Sequence, residues 1–386
     1  MRGARKRLTR DIARHKLSLT VGAFTQVPVR SVSLHGLLVV DKPGRQPATP
    51  PLAVTSIPAP AAVATDRADG APYLLTSHDV VARVRRWSGE RRIGHTGTLD
   101  PMASGVLVLC LGLATRLVEY YQAAPKQYYA EIVLGAATDT YDATGAVTAT
   151  APIPPLVHAA IDRVLDALRG PVEQRAPAYS ALKQGGQSLY RRARRGEVVE
   201  PPARPVTFYS IDLLAFAPPD RVALRVACSA GAYIRSLAHD LGLALGTFGH
   251  LDLLRREQAG AFALTGAYDL PGIEQAGREH HLADLLLPLG AGLTLPRTVG
   301  NDDEIMRFAH GQNVELTATL PTGEELVQVY DGAGNLAGIA RRLGSSPAMG
   351  TTQTGTTQTG TAPTGQSLWK AEKWLSNALE AYADLR

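Results

Sequence analysis

Only two cysteines, Cys110 and Cys228, occur in 386 residues, and they stand far apart in apolar segments. No metal-ligand spacing or disulfide framework can be written from them, which suits a reducing compartment and makes both small core residues. No run of 18 or more apolar residues exists, so a membrane-spanning helix is not expected. Neither G-x-G-x-x-G nor a G-K-[ST] loop is present, and strands do not alternate regularly with helices. Those absences argue against a doubly wound nucleotide-binding fold and for an α+β architecture with no nucleotide cofactor. Strong charge of one sign is also missing: 40 Lys and Arg face 35 Asp and Glu, a net charge of +5.

That modest surplus is unevenly placed. Arg191, Arg192, Arg194 and Arg195 fall within five residues, flanked by Lys183 and Arg204. Such clustering favours a polyanionic partner, because Lys and Arg contacts to phosphates dominate nucleic-acid affinity. The competing reading is a solvated helix face. Residues 1–33 carry eight Lys or Arg against the single acid Asp11 and lack the apolar centre of a secretory signal. They fit a transit peptide, a disordered RNA-contacting arm or an over-extended start, and the reading favoured is a dispensable, disordered basic extension.

Folding is expected to begin near Gly36, where G-L-L-V-V-D-K-P gives a short strand ending at Asp41, Lys42 and Pro43. Residues 44–71, rich in Pro and Ala, read as an inserted surface loop. Thr76 or Ser77 then caps a helix with Val80, Val81, Val84 and Trp87 on one face. Strands follow at Tyr128–Leu134, with Tyr128, Ala130, Ile132 and Leu134 on one side, and at Arg221–Cys228. The loop T-D-T-Y-D-A-T-G, Thr138–Gly145, is dense in carboxylates but lacks the spacing of a calcium loop, and is read as a solvated connection. Val157–Leu168 is a helix ended by Gly170, and a turn at Ser229–Gly231 delivers Tyr233 and Arg235 to the start of another. Residues 34–290 are thus taken as one catalytic domain and Leu285–Pro296 as a linker. Residues 296–386 are a small β module interrupted at 351–365 by a Thr/Gln/Gly repeat.

The stretch Arg92–Gly112 organises the rest. It is a glycine-rich turn with His95, Thr96 and Thr98, ending at Asp100 and Pro101 and running into the apolar segment Val106–Leu111. Three functions fit its chemistry. Asp100 can serve as nucleophile or base in a cofactor-free reaction on a nucleic acid. His95 and Asp100 can ligate a metal in a hydrolase, although their spacing matches no recognised metal pattern. Alternatively the chain is a passive RNA-binding module in which Asp100 caps a helix with Pro101 at its first position.

The segment G-H-T-G-T-L-D-P-M-A-S-G-V-L, Gly94–Leu107, resembles the central motif of the TruB family of tRNA pseudouridine synthases, G-H-x-G-x-L-D-P-x-A-x-G-x-L. The resemblance extends through D-K-P, T-S-H-D-V-V, K-Q-Y-Y-A, T-D-T-Y-D-A-T-G, P-A-Y-S-A-L-K and S-A-G-A-Y-I-R-S-L-A, covering roughly Gly36 to Gly260. It implies a pseudouridine synthase fold, α+β on a mixed, largely antiparallel sheet, followed by a small PUA-like module. It implies an isomerase that turns uridine 55 in the T-arm loop of tRNA into pseudouridine, with no cofactor and no metal. By motif position Asp100 matches the catalytic aspartate, acting on the ribose as nucleophile or proton-abstracting base. Tyr128 matches the tyrosine that packs on the target base, and Arg235, with Tyr233 beside it, matches the arginine that pairs with the aspartate. His95 matches the histidine associated with flipping the nucleotide out, and Lys42 of D-K-P is placed at the substrate. Lys183, Arg191, Arg192, Arg194 and Arg195 would grip the T-arm backbone. A cytoplasmic monomer is the default expectation. These roles also make physical sense: a base in a folded loop must be extruded before its glycosidic bond can be reached, and an aromatic surface can hold it.

Overall fold

The computed structural model describes residues 33–45, 52, 74–180, 182–184, 186–189, 192, 195, 197, 201–316, 323–345 and 367–375. The basic extension up to residue 32, most of the 44–71 insertion, the 351–365 repeat, Arg191 and Arg194 lie outside them.

Strand β1, Gly36–Lys42, is followed by helix α1, Ser77–Ser88. Thr76 caps that helix: its side chain accepts from the Asp79 amide while Asp79 reaches back to the Thr76 amide, satisfying two helix-end donors reciprocally. Short β2, Ile93–His95, leads through the central loop to β3, Ser104–Leu111. A 3₁₀ turn, Gly112–Leu117, and α2, Val118–Gln122, precede β4, Lys126–Leu134. The hairpin β5, Ala136–Thr138, and β6, Val147–Thr150, is joined by the acidic loop. Then come α3, His158–Leu168, β7, Gly170–Arg175, and the ribbon β8, Lys183–Gln184, with β9, Gln187–Ser188. Long β10, Ala203–Ala217, and β11, Arg221–Cys228, precede α4, Ile234–Ala244. Strand β12, Gly249–Ala259, short β13, Phe262–Ala263, and α5, Leu270–Arg278, follow.

Among the described residues these strands build a nine-stranded sheet with the main order β1-β3-β12-β4-β11-β10-β7. Every pairing along it is antiparallel except β3 with β12, so the sheet is mixed and largely antiparallel. Alternation sorts its side chains. Leu107, Leu109 and Leu111 of β3 face the core lined by α1, α4 and α5, whereas Val106, Val108 and Cys110 face a second core. All eight residues of β3 are buried, and each large apolar side chain so placed contributes roughly 1.5–3 kcal/mol. The loop bearing Asp100 therefore hangs from one of the most firmly held strands in the sheet.

A five-stranded sheet follows: β14, Arg297–Val299, β15, Val314–Glu315, β16, Leu326–Tyr330, β17, Leu336–Ser345, and β18, Ser367–Trp374, with helix α6, Asp302–Ala309. Its own core gathers Ile305, Phe308, Val327 and Trp369. Leu336, Ile339 and Leu375 instead join Leu37, Val39 and Val108 in the second core, so the two sheets share buried surface. The expected linker is packed chain: Leu287 exchanges backbone hydrogen bonds with Leu37 at 2.8 and 2.9 Å, and Leu293 is buried in the shared core. Its leucines have an apolar surface to cover, which a free linker would not. Among the described residues no helix is long and apolar enough to cross a membrane.

Candidate active site

Asp100 lies in the loop between β2 and β3, and four elements fix that loop. Ser77, the first residue of α1, donates through its hydroxyl to the Leu99 carbonyl at 3.1 Å and accepts from the Leu99 amide at 2.8 Å. The Thr96 amide donates to Val108 O at 3.0 Å. Arg256 of β12, almost fully buried, donates to Gly97 O at 2.9 Å and Val106 O at 2.7 Å, pinning both limbs of the loop. Lys42 of β1, completely buried, donates from Nζ to Pro43 O at 3.0 Å, Pro101 O at 3.1 Å and Ala103 O at 2.7 Å. Gly105 has φ +100°, and a Cβ there would lie 2.2 Å from the Arg256 carbonyl, so glycine is required for β3 to pass β12. No helix follows Asp100. A tight turn, closed by the Ala103 amide on Asp100 O at 3.0 Å, runs directly into β3, which removes the capping reading.

Arg235, in the first turn of α4, meets the Asp100 carboxylate with two parallel bonds, Nε to Oδ2 at 2.8 Å and Nη2 to Oδ1 at 3.0 Å. Its remaining donors reach Thr140 O at 2.9 Å and Tyr179 O at 3.0 Å. Asp142 Oδ2 lies 3.6 Å from Arg235 Nε. Arg235 and Asp142 are nearly inaccessible, with 4% and 5% side-chain exposure, whereas Asp100 retains 29%. The guanidinium is thus a buried hub, and the one carboxylate it presents outward is Asp100. Gln174 of β7 brackets the approach to α4, donating to Tyr233 O at 3.0 Å and accepting from the Tyr233 amide at 2.8 Å. Arg255, beside Arg256, donates to Asp41 at 2.9 Å and ties β12 to β1.

Asp100 opens into a cavity of about 350 Å³ whose walls include Tyr128, Tyr233, Arg204, Lys126 and Arg256. Tyr128 is buried in the wall; desolvation raises its phenol pKa, opposed by the Arg256 guanidinium. Burial pushes Lys126 down to about 8 and Lys42 down to about 7, the nearby Asp100 charge opposing the fall at Lys42. A larger, more apolar cavity of about 640 Å³ adjoins this one across Thr96 and Lys126. It lacks Asp100, so the smaller one is the candidate reaction chamber.

The structure brings some of the expected site residues together and not others. Asp100, Tyr128, Arg235 and Tyr233 converge. His95 ends β2 outside the walls of this cavity; its imidazole is pushed below its usual pKa by burial and by Arg256 and His78. Lys42, expected at the substrate, does not line the cavity: its ammonium is buried under three carbonyls and holds the loop that carries Asp100. Arg192 and Arg195 both pair with Glu197, each at 2.7 Å, so part of the basic cluster is internally neutralised. Lys183 lies in β8, and Arg191 and Arg194 fall outside the described residues. The acidic loop is not simply solvated, because Asp142 turns inward to Arg235. Asp142 and Arg256 stand at this candidate site although the sequence alone did not single them out, and Arg204, noted there only as flanking the basic cluster, lines the cavity. Among the described residues no group of three or more His, Cys, Asp or Glu is arranged to hold a metal ion.

An outward-facing carboxylate locked by a buried arginine, under an aromatic wall in a basic chamber, suits an enzyme that acts on a nucleotide taken out of its strand. The fold agrees. A chain of an H/ACA ribonucleoprotein bound to a substrate RNA containing 2'-deoxyuridine superposes with TM-score 0.59 at 23% identity, covering 89% of this chain and 85% of that one. A chain of a Cbf5-Nop10-Gar1 complex gives 0.56 at 25% identity, over 80% and 78%. Both show the pseudouridine synthase fold. Residues 85–234 match the TruB family pseudouridylate synthase N-terminal domain, and 235–294 the tRNA pseudouridylate synthase B C-terminal domain. The tRNA pseudouridine synthase B of Ralstonia nicotianae is 43% identical over 280 residues, covering 70% of this chain and 87% of that protein. That of Xylella fastidiosa is 45% identical over 265 residues, or 68% and 86%. The chain belongs to the TruB family: it is an isomerase of the pseudouridine synthase class, acting on uridine in tRNA.

Proposed function

We propose that the chain isomerises the uridine at position 55 in the T-arm loop of tRNA, working as a cytoplasmic monomer, with residues 34–290 as catalytic domain and 296–386 as a PUA-like module. The observation that carries this reading is the bidentate Arg235–Asp100 pair at the foot of the Tyr128-walled cavity. The nucleotide swings out of the T-loop, with His95 assisting, and its base enters against Tyr128 and Tyr233. Asp100 acts on the ribose as nucleophile or proton-abstracting base. The bond between the sugar and the base nitrogen breaks, the base turns, a carbon–carbon bond forms, and the displaced carbon-bound proton is lost as the nitrogen regains one. Mass is unchanged. Arg235 holds both carboxylate oxygens and so fixes the carboxylate at the chamber wall, and Asp142 balances the guanidinium charge from behind. Lys183 and the arginines at 191, 192, 194 and 195 hold the T-arm backbone.

Unmodified tRNA transcripts test the assignment, with pseudouridine read by carbodiimide labelling. Conversion is expected at position 55 and nowhere else, and a transcript carrying cytidine there should give no product. Labelling at another uridine, with position 55 untouched, would overturn the proposed site. Replacing the four clustered arginines with glutamine should weaken binding and flatten its salt dependence by about 0.9 for each phosphate no longer neutralised. An unchanged slope would return that cluster to the role of a solvated face.

A further inference from the structure

Four cations stand in or directly behind the walls of the reaction chamber, and three of them are committed. Arg235 is shared between Asp100 and Asp142. Arg256 is spent on the carbonyls of Val106 and Gly97, and Lys126 on those of Gln122 and Ala124. Arg204, near the start of β10, is different. Its guanidinium carbon lies 4.7 Å from the centre of the Tyr233 ring, stacked on its face, and one Nη2 donor goes to the Gly231 carbonyl. Its Nε is buried without a hydrogen-bond partner, so the donors left to offer are on the Nη atoms, and among the described residues no carboxylate pairs with it. The stack fixes the plane of the guanidinium, and the Gly231 bond fixes its rotation, yet donors remain unspent. A fork of N–H groups held in place in a chamber wall, with no counter-ion of its own, matches the geometry of a phosphate.

We propose that Arg204, oriented by Tyr233, binds the backbone phosphate of the nucleotide whose base enters the chamber. The inference rests on the nucleotide-extrusion reading above and adds to it the chemical group that the rim of the chamber recognises. Arg204 contributes to the hold on the extruded nucleotide and has no part in bond making. Tyr233 gains a second task, since its ring serves as platform for the guanidinium. The clustered arginines after Lys183 act elsewhere on the backbone, in a part of the chain where Arg192 and Arg195 already share Glu197.

The test couples one side chain to one phosphate. T-arm stem-loops are prepared with a single neutral methylphosphonate at each position around the target uridine in turn, and conversion is followed with the wild-type chain and with Arg204→Ala. Wild type should lose roughly 10- to 100-fold in kcat/KM at one phosphate adjoining the target, the range for a charge-assisted hydrogen bond. Arg204→Ala should show a loss of similar size on the native stem-loop, carried by KM more than kcat, and almost no further loss at that same phosphate. Arg204→Lys, which keeps the charge and loses the fork, should recover part of the KM and should guard against misfolding of the alanine variant. Losses from Arg204→Ala that multiply with every methylphosphonate alike would show that Arg204 only supports the fold, and would overturn the proposal. Failure of the wild-type chain to convert the unmodified stem-loop would instead strike the T-arm reading, and the Arg204 assignment with it.

Discussion

Replacing Arg235 with lysine probes the reasoning most severely, because charge is kept and geometry alone is lost. Arg235 spends its donors on four acceptors: two Asp100 oxygens at 2.8 and 3.0 Å, Thr140 O at 2.9 Å and Tyr179 O at 3.0 Å. A lysine ammonium is a point donor on an unbranched stem, so it can meet Asp100 through one bond but cannot also span carbonyls on different sides of the fork. At least one buried carbonyl is left without its partner, at about 1–3 kcal/mol each. Stability should therefore fall by roughly 1–3 kcal/mol for each carbonyl so orphaned, read by urea unfolding. The carboxylate, freed from its two-point clamp, would swing by about an ångström, enough to cost on the order of 100-fold in the chemical step. Single-turnover conversion of unmodified tRNA measures that loss, and tRNA binding should change little. A lysine variant within about threefold of wild-type rate would refute the claim that the two-point clamp sets the reactive geometry.

Two further outcomes follow from the same network. Asp142→Asn removes the charge 3.6 Å behind Arg235 while preserving shape, and should slow conversion about tenfold or more with binding intact, as seen in a kcat loss without a KM change. For Lys42 the expectation is a pH effect. Its folded pKa near 7 lies below the ordinary 10.5, so between those values the unfolded chain binds a proton that the folded chain has released. Stability of the wild-type chain should accordingly rise with pH relative to Lys42→Met across that window, by up to about 1.4 kcal/mol per pH unit. Urea unfolding of both chains at pH 7.5 and 9 gives the comparison, and parallel pH profiles would contradict it.

How much of the fold and site is legible in the sequence depends on what each residue's neighbours are. The Thr76 cap, the alternation of β4, the strand at β11 and the helix start at Tyr233 follow from local spacing, and the structure reproduces them. Strand β12 is not foreseen from the sequence, although it joins β3 to β4 at the centre of the sheet. Its charged run, Asp252 and Arg255 to Glu257, looks like surface. The burial of Arg255 and Arg256 makes sense only beside Asp41 and the carbonyls flanking the Asp100 loop, partners about 150 residues or more away. Asp142 escapes for the same reason: in a run of small polar residues nothing local says that one carboxylate turns inward to an arginine on another element. Lys42 shows the reverse case. Its motif marks it as important, but motif position does not distinguish a hand on the substrate from a pin under the loop.

The central claim is that Asp100 performs the chemistry on a nucleotide that the rest of the site merely holds. Asp100→Asn changes one atom and leaves an acceptor for Arg235, so it separates reactivity from binding. Incubated with unmodified tRNA and read by carbodiimide labelling, the variant should form no pseudouridine while retaining wild-type affinity for the tRNA. Appreciable turnover by the asparagine variant would contradict the account.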